Sequence, residues 1–344
     1  MILLDTIFIN NGGGKILMDY LYRTLRNQPN EEFVVLIDER LKSEYNTQYS
    51  ENIKKVYLNG LLNRNKYYKI HKNSFTAVLC FGNIPPPIRL NAKVYTYFHQ
   101  RIYLSIPKSF SYKERFKFFL KVQILRKYIK NCDYWLVQSV QMGEALAEKF
   151  KIKNETVLKI PFYPSFNKVG VFEKKKNSFI YVSNASPHKN HILLINAFCK
   201  FYDVKHTGSL VLTVDIGYLE IYNLIRQKIE SGYPIKNLGF INREELYQHY
   251  QSAEYLIYPS LSESFGLGII EAVENGCKVV GADLPYLHEV CDPSIVFNPL
   301  DQESIYKSFF YATDGKNIPP TILRTSDQID ELIRLITSDY ENSK

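Results

Sequence analysis

Pro259-Ser260-Leu261-Ser262-Glu263-Ser264-Phe265-Gly266-Leu267-Gly268-Ile269-Ile270-Glu271-Ala272 reads as a turn and a helix following a strand, and this order decides the fold class of the chain. Leu256-Ile257-Tyr258 supplies the short apolar strand, and Pro259 cannot continue a central ladder. Ser262 or Ser264 is placed to cap the helix that the apolar run Leu267, Ile269 and Ile270 begins. Gly276 ends that helix, and Cys277-Lys278-Val279-Val280 starts the next strand. Glu263 then sits in the turn at the carboxyl end of a buried strand, and Glu271 about two turns into the helix.

Two carboxylates around one helix N-terminus suit a ligand with hydroxyls on both flanks of an anionic middle. The backbone N–H groups of Ser264, Phe265, Gly266 and Leu267 face a diphosphate, aided by the helix dipole. Gly266 and Gly268 remove side chains where phosphate oxygens approach the backbone. Carboxylates accept hydrogen bonds from vicinal diols, so one Glu can hold a sugar and the other a ribose. The segment resembles the Glu-x7-Glu region of retaining, family 4 type glycosyltransferases of the GT-B architecture. The flanking Gly276-Cys277-Lys278-Val279-Val280-Gly281-Ala282-Asp283-Leu284-Pro285-Tyr286-Leu287-His288-Glu289-Val290 is similar to theirs as well. The resemblance implies that Glu263 contacts the transferred sugar and Glu271 the ribose of a nucleotide sugar.

Apolar runs alternate with helical stretches from end to end, which predicts an α/β chain with mostly parallel sheets. Strands are expected near residues 2–9, 33–37, 53–57, 76–81, 93–98 and 134–138, then near 178–183, 209–214, 237–241, 255–258, 277–281 and 294–297. The prolines of Pro161-Phe162-Tyr163-Pro164-Ser165-Phe166-Asn167 and the charge run Glu173-Lys174-Lys175-Lys176 mark an interdomain link. Two doubly wound, Rossmann-like domains are therefore expected, 1–165 and 166–325, facing a cleft at the carboxyl ends of their strands. The GT-B resemblance implies the same arrangement, with an acceptor-binding first domain and a nucleotide-sugar-binding second. It also implies a final helix within 326–344 that returns to the first domain.

Further candidates stand at strand-to-helix corners. Asn10-Asn11-Gly12-Gly13-Gly14-Lys15 follows the first strand and lacks the spacing and ending of a Walker loop. A dinucleotide fingerprint is its rival reading, with Gly12, Gly14 and Asp38 in place but Leu17 at the third glycine position. The resemblance puts Gly13 and Gly14 beside the donor phosphates and the acceptor. Lys189, in Ser186-Pro187-His188-Lys189-Asn190-His191, can neutralise a leaving diphosphate and matches the family's diphosphate-binding lysine. Relatives often have Arg where this chain has Asn184, and Lys15 or Arg101 is a candidate replacement for that charge. His99 ends the apolar strand Val94-Tyr95-Thr96-Tyr97-Phe98, a strand end at which the family places a functional histidine, followed here by Gln100 rather than Asp. The resemblance also puts Gly217 near the diphosphate and Phe240 and Ile241 at the nucleobase. His188 and His191 lack a third ligand nearby, so no metal is expected.

The chain has 344 residues, 45% of them hydrophobic, which is enough for two cores. Its five cysteines are scattered and contain no Cys-x-x-Cys, which suits a reducing cytoplasm. No run of eighteen apolar residues occurs, and the N-terminus has no basic leader, so neither a span nor a signal peptide is expected. The net charge of +8 divides unevenly: residues 1–165 carry 26 Lys+Arg against 13 Asp+Glu, and residues 166–344 carry 17 against 22. Within the basic half, Arg101 to Lys130 holds nine basic residues, with Lys113, Lys117 and Lys121 at helical spacing and Phe118, Val122, Leu125 and Ile129 in an apolar row. This combination reads either as a contact with an anionic membrane through those lysines or as an ordinary helix packed on the core. No zinc finger or RNP signature points to nucleic acid.

The expected function is a retaining, metal-independent transfer of a sugar from a nucleotide diphosphate donor to a hydroxyl of a lipid-linked or surface glycan. No cofactor is implied, and the enzyme is expected in the cytoplasm or on the inner face of the cytoplasmic membrane. The second reading is a catalytically inactive glycan- or nucleotide-binding relative, motivated by Asn184 and Gln100.

Overall fold

Leu3, Leu4, Val34, Val35, Leu36, Val78 and Leu79 are all buried. Strands apolar on both sides in this way belong to parallel sheets covered on both faces. The computed structural model describes residues 1–47, 50–106, 110–166, 170, 172–315 and 317–341. Its chain forms two units, Met1–Pro164 with Ser326–Lys344, and Ser165–Thr325.

The first unit runs β1 (Ile2–Asp5), α1 (Gly12–Arg26), β2 (Phe33–Asp38), α2 (Lys42–Asn46), β3 (Ile53–Leu58), α3 (Gly60–Ile70), β4 (Ala77–Cys80), β5 (Lys93–Tyr97), α4 (Tyr112–Tyr128), β6 (Tyr134–Val137), α5 (Val140–Phe150) and β7 (Val157–Lys159). The sheet is parallel, with seven strands in the order β3-β2-β1-β4-β5-β6-β7. The order reverses at β1 and β4, where ligands of such sheets bind. There the loop after β4 touches the loop after β1, since a Cβ at Gly82 would lie 2.4 Å from the Ile7 carbonyl oxygen. β7 was not expected, being three residues long and only half-buried at an edge.

β1 ends on a buried ionic network. Asp5 Oδ2 accepts from Arg64 Nε and from the Tyr68 hydroxyl, each at 2.7 Å. Arg64 Nη2 donates to the carbonyls of Ile84 and Pro85. Asp38, the acid of the dinucleotide reading, is occupied instead. Arg40 grips it with Nε and Nη2, each at 2.8 Å, and its own backbone N–H donates to Oδ1 at 3.2 Å.

The second unit runs β8 (Lys175–Tyr181), α6 (His191–Lys205), β9 (Ser209–Leu212), α7 (Leu219–Glu230), β10 (Ile235–Asn237), α8 (Arg243–Ser252), β11 (Ala253–Tyr258), α9 (Leu267–Glu274), β12 (Lys278–Ala282), α10 (Pro285–Val290), β13 (Cys291–Asp292), β14 (Ile295–Phe297), α11 (Gln302–Asp314) and β15 (Ile322–Leu323). Its six-stranded sheet has the order β10-β9-β8-β11-β12-β14 and is parallel, while β13 and β15 form a separate antiparallel pair. The strand expected at 237–241 lies earlier, at Ile235–Asn237, because the chain leaves the sheet before Gly239, whose φ is +67°. Phe179, Phe198 and Phe201 pack around Phe309 of α11, with ring centroids 4.8–5.5 Å apart.

The chain closes on α12 (Ile329–Glu341), which packs on α1 and β4 of the first unit. Ile329, Leu332, Ile333 and Ile336 are its buried face, at the spacing of an amphipathic helix. Asp327, just before it, accepts from the Tyr20 hydroxyl at 2.5 Å and from the Tyr163 N–H at 3.2 Å. The units divide between Pro164 and Ser165, and Asn167 of the expected link lies outside the described residues.

At α4 the apolar row meets the core, as in the second of the two sequence readings. Val122 and Leu125 of the apolar row are buried in a cluster with Phe98, Trp135 and Leu146, and Ile129 packs against it. A different set is exposed: Tyr112, Phe116, Phe119 and Leu120, between 47% and 91% accessible. Lys121 is half-buried over the Phe118 ring, while Lys113 and Lys117 stay exposed. Lys108 of the basic span lies outside the described residues.

Candidate active site

The turn after β11 differs from the expected serine cap. α9 begins at Leu267 directly after Gly266, whose φ is +88°, and no side chain caps it. A Cβ at Gly266 would also lie 2.9 Å from Ile269 Cδ1, so both backbone and space select glycine here. The left-handed residue next to the helix takes the N-cap position that Ser262 or Ser264 was expected to fill. Glu271 is consequently the fifth residue of α9, little more than one turn in. Gly268 has no such constraint, since a Cβ there would meet the Tyr250 hydroxyl only at 3.4 Å.

Backbone and side-chain bonds tie this turn to the one after β8. The Leu261 N–H donates to the His188 carbonyl at 2.8 Å. Asn190, in the left-handed region at φ 61°, donates from Nδ2 to the carbonyls of Pro259 (3.3 Å) and Pro299 (2.7 Å). The buried Tyr181 hydroxyl donates to the Lys189 carbonyl at 3.0 Å. Two loops remote in sequence thus act as one ledge at the carboxyl edge of β8 and β11.

Lys189 and Glu263 meet on that ledge. Lys189 Nζ lies 2.6 Å from Glu263 Oε1, and the Tyr258 hydroxyl donates to the same oxygen at 3.0 Å. Both side chains are mostly shielded, at 14% and 11% exposure. A lysine and a carboxylate so placed offer a cation for a phosphate and an acceptor for hydroxyls. Tyr258 escaped the sequence reading because it looked like one more apolar strand residue. Its hydroxyl, held protonated by burial and by the Glu263 charge, can only donate to that carboxylate.

Glu271 is the second acid. Its Oε1 accepts from Arg243 Nε at 3.1 Å, and burial pushes its carboxyl up to about 7 against the opposing pull of that guanidinium. Arg243, the first residue of α8, was not singled out from sequence. Its guanidinium lies over the Phe166 ring at 4.0 Å.

The other expected residues of this unit lie in its turns and loops. Ser264, Phe265, Gly266 and Leu267 form the turn into α9, with Phe265 buried. Asn184 is exposed and spends its Oδ1 on the Ser186 N–H. The Gly217 N–H donates to Asp215 Oδ1 at 2.8 Å in the loop after β9. Beyond β10, Phe240 is 86% exposed and Ile241 half-buried. His191 is enclosed against Tyr181, with both ring nitrogens buried and unpartnered among the described residues, and burial lowers it to about 3. Among the described residues no three His, Cys, Asp or Glu side chains gather to hold a metal.

In the first unit, Gly13 and Gly14 begin α1, and a Cβ at Gly14 would lie 3.1 Å from His99 Cε1. His99 is buried behind that glycine. Its Nε2 faces the Phe81 carbonyl at 3.1 Å, and its ring stacks on Phe81. Asn83 Oδ1 accepts from the N–H groups of His99 and Gln100, which fixes the strand end. Burial lowers the imidazole to about 4, so at neutral pH it is uncharged. Lys15 is held by Asp19 at 2.8 Å and Glu44 at 2.6 Å, and Arg101 Nη1 donates to Gln141 Oε1. Lys15 therefore carries a charge already met by two carboxylates.

The model of the family described as glycosyl transferases group 1 matches residues 164–307. The O-antigen chain mannosyltransferase RfbU of Salmonella typhimurium is 30% identical over 204 residues, which cover 58% of this chain and 54% of that protein. The chain spans about half, or less, of the length of the curated relatives it matches. Among solved structures, Anabaena Alr3699/HepE in complex with UDP and glucose superposes with a TM-score of 0.66 at 13% identity, covering 99% of this chain and 97% of that one. WaaG, a glycosyltransferase involved in lipopolysaccharide biosynthesis, does so at 0.67 and 13%, covering 98% of this chain and 100% of that one. Residues 164–307 thus match the model of the group 1 glycosyl transferases, and the two doubly wound units have the GT-B fold of these solved structures.

Proposed function

We propose that this chain is a retaining, metal-independent glycosyltransferase that moves a sugar from a nucleotide diphosphate donor to a hydroxyl of a lipid-linked or surface glycan. The observation that carries the reading is the Lys189–Glu263 pair on the ledge after β8 and β11, with the second acid, Glu271, just over one turn into α9 behind it in sequence. The name of RfbU, an O-antigen chain mannosyltransferase, and the UDP and glucose held by HepE favour it.

In this reading the second unit binds the donor. Lys189 and the backbone of Ser264 to Leu267 stabilise the leaving diphosphate, Glu263 orients the sugar, and Glu271 holds the ribose. Gly217 borders the diphosphate, Asn184 lies beside Lys189, and Phe240 with Ile241 lines the nucleobase. The first unit binds the acceptor, through Gly13, Gly14 and His99. The bond from the anomeric carbon to the diphosphate oxygen breaks, the acceptor oxygen bonds that carbon on the same face, and the acceptor proton passes to the leaving phosphate.

Among the described residues no helix is long and apolar enough to cross a membrane. We place the protein in the cytoplasm, touching an anionic membrane through α4. The exposed Tyr112, Phe116, Phe119 and Leu120 enter the headgroup layer, and Lys113 and Lys117, with Lys121 beside them, meet lipid phosphates. Flotation with anionic vesicles should show salt-dependent binding, and none would remove this contact.

The deciding experiment is nucleotide release from a panel of uridine, guanosine and other nucleotide sugars, with membrane lipid extract as acceptor and Glu263→Ala as control. Release confined to one donor and lost in the variant supports transfer. Donor binding without release by either protein favours a binding relative instead.

A further inference from the structure

We infer that Arg243 is the positioning residue that holds the Glu271 carboxyl group in place for a ribose diol. The inference rests on the donor-site reading of Glu271. Its geometry is specific. Arg243 starts α8, and the neighbours that pin it include the Phe166 ring at 4.0 Å, the Ser165 carbonyl at 3.4 Å from Nη1, and Glu271 Oε1 at 3.1 Å from Nε. Nε approaches one carboxylate oxygen, and Oε2 has no partner among the described residues. A vicinal diol would take that oxygen without displacing the arginine.

The surroundings make the arginine necessary. Glu271 is 5% exposed, and burial alone drives such a carboxyl toward its protonated form. Glu274, further along α9, pushes in the same direction, and the buried Tyr250 hydroxyl of α8 lies within the field of the carboxylate. The Asn275 side chain bonds the Glu271 backbone carbonyl, so it fixes the helix end rather than the charge. Arg243 is the group that opposes burial, by its charge and by its hydrogen bond. A flexible lysine supplies the charge but not the planar fork stacked on Phe166.

The test follows the Glu271 carboxyl by side-chain carbon-13 NMR on the full chain, assigned with Glu271→Gln, in wild type, Arg243→Met and Arg243→Lys. In parallel, affinities for UDP, GDP and their 2′-deoxy forms are measured across the same pH range. The wild-type carboxyl should titrate near 7. Arg243→Met should raise that midpoint by about 1–3 units, with Arg243→Lys between the two. At neutral pH, Arg243→Met should also lose most of the preference for ribose over deoxyribose, while retaining diphosphate-dependent binding. A folded Arg243→Met protein whose midpoint matches wild type overturns the inference. A raised midpoint in a chain whose wild type binds neither UDP nor GDP overturns the donor-site reading instead.

Discussion

Lys189 Nζ and Glu263 Oε1, from residues 74 positions apart, lie 2.6 Å from each other. The pair exists because the loops that carry them are stitched together by the bond from the Leu261 N–H to the His188 carbonyl. In the proposed reaction each partner would exchange the other for a piece of donor, Lys189 for the diphosphate and Glu263 for sugar hydroxyls. The pair therefore keeps two mostly shielded charges compensated in the free protein.

Substituting either partner should separate chemistry from folding. Lys189→Met and Glu263→Gln should each reduce turnover by on the order of 100-fold or more. Each should also cost about 1–3 kcal/mol, since the remaining group loses a charge-assisted bond. The double variant should be destabilised by less than the sum of the two. Denaturant titrations and nucleotide-release rates on the same preparations check both parts.

His99 should make the protein sensitive to acid. Its folded value is about 4, below the ordinary 6.5, because burial disfavours the charged ring. Above 6.5 both folded and unfolded chains hold it neutral, and it contributes nothing. As pH falls from 6.5 toward 4 only the unfolded chain gains the proton, so stability is lost, by up to about 3 kcal/mol. The stability difference between wild type and His99→Phe, measured in urea at pH 7 and pH 5, should shift toward the variant at the lower pH. A difference that stays constant between them would contradict a neutral, buried His99.

Arg64→Met should be among the most damaging changes in the first unit. It leaves the Asp5 carboxylate, 2% exposed, without its cation and should cost about 3–5 kcal/mol. Asp5→Asn combined with Arg64→Met should recover part of that loss, because no buried charge then remains uncompensated. Thermal unfolding of wild type and the two variants reads the difference.

Asn190 is left-handed and also clips two loops through its amide. Asn190→Gly should lose only the clip, whereas Asn190→Ala should add strain and be less stable than Asn190→Gly by about 1–2 kcal/mol. Urea midpoints compare the two.

Much of the fold was legible because buried parallel strands leave a strong mark. Leu3-Leu4, Val34-Val35-Leu36 and Val279-Val280 are apolar runs too short for helices, each followed by a turn and an amphipathic stretch. β7 and the β13–β15 pair left no such mark, since two or three partly exposed residues carry no period. At α4 the helix was legible, but which apolar face meets the core was not. Phe118, Val122 and Leu125 form as good a row as Tyr112, Phe116 and Leu120, and only the position of the sheet chooses between them.

By itself the sequence determined where the chemistry-bearing side chains stand relative to their own strands. Lys189 and Glu263 follow apolar strands within eight residues, and local backbone rules bind them there. Tertiary structure decided their partners. That Tyr258 donates to Glu263, that Arg243 reaches Glu271 across two helices, and that Arg40 occupies Asp38 all depend on side-chain directions and burial. Such pairings have no sequence period, because they are set by distances across a packed interior rather than by spacing along the chain.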